Sequence, residues 1–279
     1  MSDDARSGLL LHLSGPLQSW GERSMFNERD TARFPTRSGL IGMIAAALGY
    51  ARDKPLDELR KLRFAVRTDR PGSVLRDFHT VGGGQPGKLT VKTAEGKPRP
   101  GDSGTLVSQR YYLQDAAFTV AVMAAPNADP GLLERCYDAL LAPCWPPYLG
   151  RRSCPPAGPL LLGHRADVWQ ALGAAPLHAH ARQLPAVGTG ETVRVTFRSD
   201  VPLDDLPLPP GCTREGAQAT SSITDDPVSF TSLDRQYLAR RIYQVSMLMP
   251  ISRCKGIGID YLDALKDFLQ TASSQEDRP

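Results

Sequence analysis

The sequence predicts an α+β fold: a ferredoxin-like (RRM-type) unit over residues 1–145, a linker and small β-rich region over 146–270, and a disordered tail at 271–279. Three observations predict it. Apolar runs in the first half follow the order strand, helix, strand, strand, helix, which is the order of that unit. Six prolines crowd into Pro143 to Pro159, the strongest punctuation in the chain, and mark the boundary. Beyond them, Thr192 to Phe197 and Ile242 to Met249 read as strands.

Leu9 to Leu13 is a short apolar run expected to be a buried strand, stopped by Gly15 and Pro16. A polar loop reaches Pro35. Leu40, Ile41, Met43, Ile44, Ala47 and Leu48 then have helical spacing, with Thr36 or Ser38 as N-cap and Gly49 near the end. Gly39 and Gly42 weaken this helix but let another part of the chain approach closely. An amphipathic piece, Leu56 to Leu62, precedes strands at Phe64 to Thr68 and Val74 to Val81. Gly82-Gly83-Gly84 opens a Gly-, Pro- and Lys-rich segment to Ser108, in which Leu89-Thr90-Val91 and Thr105-Leu106-Val107 can pair as hairpin legs. Strands follow at Tyr111 to Leu113 and Phe118 to Ala124. Asp129-Pro130 supplies an N-cap and a first-turn proline for a helix to Leu141. Gly211 to Thr224 is a polar stretch, and a last helix runs from Tyr261 to Leu269 with Asp260 as N-cap.

A chain of 279 residues buries roughly 70–75% of its unfolded surface, so its core needs no covalent staples. The five cysteines show no CxxC spacing, which excludes a zinc knuckle or a redox motif and reads as reduced thiols. Leu9-Leu10-Leu11 is broken by His12, so no signal peptide is expected; the charge-free stretch from Ser38 to Ala51 is too short to span a bilayer. A cytoplasmic protein with no membrane contact is the expectation.

The net charge of +3 hides an asymmetry. Residues 60–115 carry eleven basic side chains against five acidic ones, so the rest of the chain is net acidic. A basic segment on a near-neutral body is the footprint of a polyanion site. P-loop, HExxH, GxSxG and strand-linked GxGxxG patterns are absent, so no cofactor, metal or catalytic residue is expected. Gly82-Gly83-Gly84 reads more readily as a flexible hairpin root than as a phosphate cradle. His79, beside Asp77, is the one histidine in the basic segment, and a structural role is the simpler reading.

Four pieces stand out: Ser14-Gly15-Pro16-Leu17-Gln18-Ser19-Trp20-Gly21, Phe34-Pro35-Thr36-Arg37-Ser38-Gly39-Leu40-Ile41-Gly42, Asp77-Phe78-His79-Thr80-Val81 and Arg110-Tyr111-Tyr112-Leu113-Gln114-Asp115-Ala116. Fainter ones are Leu149-Gly150-Arg151-Arg152-Ser153-Cys154-Pro155-Pro156 and Asp226-Pro227-Val228-Ser229-Phe230. In order and spacing, from about Leu9 to Met249, they resemble the CasD-type subunits of the type I-E CRISPR Cascade complex, in the RAMP superfamily. The resemblance implies a ferredoxin-like domain with a protruding β-hairpin thumb, at about residues 82–108, and a small β-rich C-terminal part. It also implies a subunit without catalysis that grips the 5′ handle of the crRNA, beside partners resembling CasC, CasA and CasE, and that meets target DNA only indirectly. This chain is longer at its C-terminus than the usual member, so nothing is carried over beyond Pro250.

The chemistry of the pieces suits RNA. Thr36, Arg37 and Ser38 at a helix N-terminus offer free N–H groups and a guanidinium to a phosphate. Trp20 and Tyr111 are candidate stacking platforms, and Gln18 and Gln114 candidate readers of base edges. Ser19, Lys88, Lys92, Arg110, Arg151 and Arg152 complete the candidate RNA contacts. Arg37 is expected to serve RNA rather than folding, with an ion pair to Asp30 as the competing role. The alternative function is crRNA processing of the type I-C kind; those variants resemble one another in pairing a tyrosine with adjacent Lys and His, and no histidine here has a lysine neighbour.

Overall fold

The computed structural model describes residues 6–21, 27–82, 89, 91–93, 96–97, 105–188, 191–231 and 234–276. In chain order the elements are β1 (Gly8–Ser14), β2 (Leu17–Gln18), β3 (Glu28–Arg29), α1 (Arg37–Ala47), β4 (Leu62–Arg70), β5 (Ser73–Val81), β6 (Leu106–Gln114) and β7 (Ala117–Ala124). They continue as α2 (Leu132–Leu141), β8 (Leu161–Arg165), α3 (Val168–Ala174), β9 (Ala186–Val187), β10 (Thr192–Ser199), β11 (Thr213–Ser229), β12 (Gln236–Pro250) and α4 (Ile259–Glu276). The fold is mixed α+β and dominated by antiparallel pairing.

Among the described residues, the larger sheet has the order β11–β12–β10–β4–β7–β1–β8, with β9 paired to β10. β1 is apolar nearly throughout because both of its faces are covered. Successive side chains of a strand point to opposite faces. Leu9, Leu11 and Leu13 therefore join a core with α1 and α2, while Leu10 joins a second core with α3 and α4.

Strands from both sides of residue 145 share this sheet: β8 pairs with β1, and β10 pairs with β4. The expected boundary at 145/146 thus falls inside one hydrogen-bonded sheet, and the proline-rich stretch is an arm that carries the chain back to it. The polar stretch from Gly211 is largely β11, a strand of 17 residues paired to β12. Its alternation of small polar residues hid it. β8 and α3 likewise lacked a visible signal. α4 reaches Glu276, into the segment expected to be a disordered tail.

The smaller sheet is built around β6. β5 pairs antiparallel along one edge; β2 and β3 take the other edge. Val81 lies opposite Leu106 and Thr80 opposite Val107, so the partner of 105–107 is the end of β5 rather than Leu89-Thr90-Val91. Most of the expected thumb, including 83–88 and 98–104, lies outside the described residues. All five cysteines are free. No described helix is long and apolar enough to cross a membrane.

Candidate nucleic-acid interface

The β5–β6 ribbon displays its side chains on two faces. Cross-strand partners share a face, so Arg76 with Tyr111, Phe78 with Gln109 and Thr80 with Val107 line one side. Asp77 with Arg110 and His79 with Ser108 line the other. Phe78 is 65% exposed, and Val74 and Val107 are also exposed. An apolar ring left in water beside cations is a surface awaiting a partner rather than a core. Arg76 Nε donates to the Gln109 side-chain oxygen, which holds a guanidinium next to that ring.

Tyr111 is half-buried, with its carbonyl fixed from two directions: Ser19 Oγ donates to it at 3.2 Å and Arg151 Nη1 at 3.2 Å. Arg151 also donates to the Arg29 carbonyl at 2.8 Å, and its guanidinium lies 4.8 Å over the Tyr112 ring. Arg151 is therefore a staple between the proline-rich arm, β3 and β6. Arg152, Gln114 and Lys92 are exposed, and Arg110 is half-buried. Lys88 lies outside the described residues. His79 Nδ1 sits 3.5 Å from Asp77 Oδ2 on the open surface.

Several expected contacts are interior instead. Gln18 is fully buried: its amide nitrogen donates to the Leu13 and Ala116 carbonyls, and its oxygen accepts from Trp20 Nε1 at 2.9 Å. With all three bonds internal, it is no reader of base edges. Trp20 is equally buried and packs against Gly39, where an added Cβ would sit 2.7 Å from the ring, so it is core rather than a platform. Ser19 is buried as well, with its hydroxyl committed to Tyr111. Thr36 is the N-cap of α1, accepting from the Gly39 N–H at 3.3 Å, and Ser38 Oγ lies 3.4 Å from its hydroxyl.

Arg37 departs furthest from expectation. It is 3% exposed, and the anion at the start of α1 is the chain's own. Asp225 accepts from the Arg37 backbone N–H at 2.7 Å, and Asp226 accepts from Arg37 Nε at 2.8 Å. Asp200 pairs with the same guanidinium. Arg240 bridges Asp200, at 2.8 Å, and Asp225; Arg60 donates to Asp226 at 2.7 Å. Burial alone would push the Asp226 carboxyl up, but hydrogen bonds and positive charge from Arg60 and Arg37 outweigh it and hold it below the usual carboxylate range. Neither Asp30 nor a phosphate was the right partner: the sequence signalled an anion site but not that β11 would fill it. Conversely, Phe78 is absent from the expected contacts, although its isolation between the polar neighbours Asp77 and His79 is a signal that points to it.

Among the described residues no cluster of His, Cys, Asp and Glu is arranged to hold a metal ion. Exposed aromatic and cationic side chains on a β-ribbon have the composition found in nucleic-acid-binding proteins. Comparison makes the class specific: residues 8–243 match the family model described as CRISPR-associated protein (Cas_Cas5), and the chain belongs to that family. It is 43% identical over 169 residues to the CRISPR system Cascade subunit CasD of Escherichia coli (strain K12), over 57% of this chain and 71% of that one. A solved chain from a CRISPR RNA-guided surveillance complex superposes with a TM-score of 0.74 at 41% identity, covering 94% of this chain and 99% of that chain. A Cas protein crystal structure superposes at 0.50 with 29% identity, covering 90% and 98%.

Proposed function

We propose that this protein is a non-catalytic RNA-binding subunit of a Cascade-type surveillance complex, capping the 5′ handle of the crRNA. In this reading β1, α1, β4, β7, α2 and β8 form the ferredoxin-like unit, whose strands lie in the order β4–β7–β1–β8. The β5–β6 ribbon is the root of the thumb expected at about residues 82–108. Partners resembling CasC, CasA and CasE would assemble around it, and target DNA would be met indirectly. The observation that carries the reading is Phe78, 65% exposed on a ribbon face that also bears Arg76 and Tyr111. Single-stranded RNA is held by such planes against unstacked bases, with cations on the phosphates. Tyr111, Gln114, Arg110, Lys92 and Arg152 remain the contacts assigned to RNA.

The processing alternative would need a base and a cation around one scissile phosphate. His79, Asp77 and Arg110 share a face and are the residues that could supply them. Incubating the protein with labelled repeat RNA should give binding without cleavage, with or without EDTA. Specific cleavage that disappears in His79→Ala would overturn the non-catalytic reading.

A further inference from the structure

We infer that a second binding site lies away from the ribbon: a cationic cleft of about 360 Å³ that takes an acidic side chain of a partner protein segment. It opens where the start of β4, the end of β10 and the β11–β12 pair meet. Six cationic side chains line it against three carboxylates, so it is net positive. The floor is neutralised internally, since Asp200 and Asp226 are engaged by Arg37, Arg60 and Arg240. Lys61 is engaged by Glu58 at 2.7 Å.

Two cations remain uncommitted. Arg63 on β4 is half-buried and Arg241 on β12 is exposed. Both line the cleft, and neither has an acceptor among the described residues. Guanidinium groups take up carboxylates through paired hydrogen bonds, and this cleft already does so with its own aspartates.

The lining also bears on the chemistry of the occupant. No aromatic or apolar side chain lines the cleft, whereas single-stranded nucleic acid is gripped by stacking as well as charge. A concave, aromatic-free pocket of this size fits one or two Glu or Asp side chains on a protein segment. Charge complementarity of this kind specifies partners and raises association rates.

The test uses the full-length protein and a fluorescent hexaglutamate peptide, with a decauridylate oligonucleotide as the second probe. The Arg63→Glu/Arg241→Glu variant should bind hexaglutamate roughly tenfold more weakly, as expected for loss of charge-assisted pairs. Its affinity for decauridylate should be unchanged and its melting temperature close to the original. If charge reversal unfolds the protein, Arg63→Gln/Arg241→Gln should still weaken hexaglutamate binding several-fold. Undetectable hexaglutamate binding to the original protein overturns the inference, as does binding that both variants leave intact. A selective loss of decauridylate binding would give the cleft to nucleic acid and overturn it too. Failure here leaves the ribbon's role in RNA binding untouched, because that is read by cleavage and handle affinity.

Discussion

Arg67 and Asp69, two residues apart on one face of β4, form an ion pair of 2.6 Å with no solvent exposure at either side chain. Arg67 also donates to the carbonyls of Leu172, Ala175 and Pro176, pinning the end of α3 to the sheet, and to Thr119 Oγ1 at 3.2 Å. Thr119 Oγ1 donates to the second carboxylate oxygen of Asp69 at 2.6 Å. Removing one partner of a buried pair strands the other charge, which costs about 3–5 kcal/mol. Asp69→Ala should lower the unfolding free energy read from a denaturant titration by that amount. A loss under about 1 kcal/mol would mean that the pair behaves like an exposed one.

Arg37→Ala should be a stability variant. It leaves Asp200 and Asp226 short of a cation and deprives the Leu62 carbonyl of its donor. The expected loss is again about 3–5 kcal/mol, and Arg37→Lys should recover only part because an ammonium cannot make the forked bonds. Handle affinity, measured where both variants are fully folded, should not change. Lost affinity at unchanged midpoint would restore the residue to the RNA site.

Acid should loosen the contact between α4 and the sheet. His12 Nε2 lies 2.9 Å from His178 Nδ1, and the His178 ring stacks 3.9 Å from that of Tyr261 on α4. Burial, then the positive charges of Arg67 and Arg70, lower His12 to about 3. Burial, then His12 and Arg70, lower His178 to about 3, with Asp69 opposing. Both rings are thus neutral in the fold, while the unfolded chain takes up protons below about 6.5. The stabilisation is fully present above that value and is lost as pH falls towards 3. The melting temperature should drop between about pH 6.5 and about pH 5, a window above the titration of ordinary carboxylates. A His12→Asn/His178→Asn variant should be less stable at neutral pH and insensitive to pH in that window.

Phe78→Ala and Tyr111→Ala should each weaken binding of a 5′-handle RNA by about 1–3 kcal/mol, the range for a stacked base. Phe78→Ala should not lower the melting temperature, since the ring is 65% exposed. Handle affinity should fall with salt at a slope of about −0.7 per phosphate held. A flat salt titration, or two alanine variants that bind as well as the original, would remove RNA from this ribbon.

The sequence made some things legible and misassigned others for a shared reason. β1 and α1 were readable because apolar spacing and caps act locally: Thr36 caps α1, and Gly49 follows its end at a φ of 71°, whereas α2 begins two residues later than expected, at Leu132, with Gly131 rather than Asp129 as its N-cap. The motifs were readable as motifs, but their residues chiefly pack against one another. Gly39 sits against Trp20, and at Gly150, with φ 91°, an added Cβ would meet the Ser19 carbonyl at 1.7 Å. Such contacts between distant segments constrain residue identity as strongly as a ligand would. Local reasoning could therefore see a helix start suited to an anion, but not Asp225 arriving there from 188 residues away. β11 escaped because Gly, Ala, Ser and Thr give it no apolar alternation.

The return of β8 to β1, and of β10 to β4, has a consequence during synthesis. β1 leaves the ribosome before β8, so one of its edges waits for a strand encoded about 150 residues later. At typical elongation rates that delay is on the order of ten seconds, and the outer edge of β4 waits for β10 on a similar scale. Throughout that interval the nascent chain displays two apolar strands with unpaired N–H and C=O groups, the geometry that recruits other strands. Yield in the cell then depends on how well those two edges are shielded until the second half of the chain arrives.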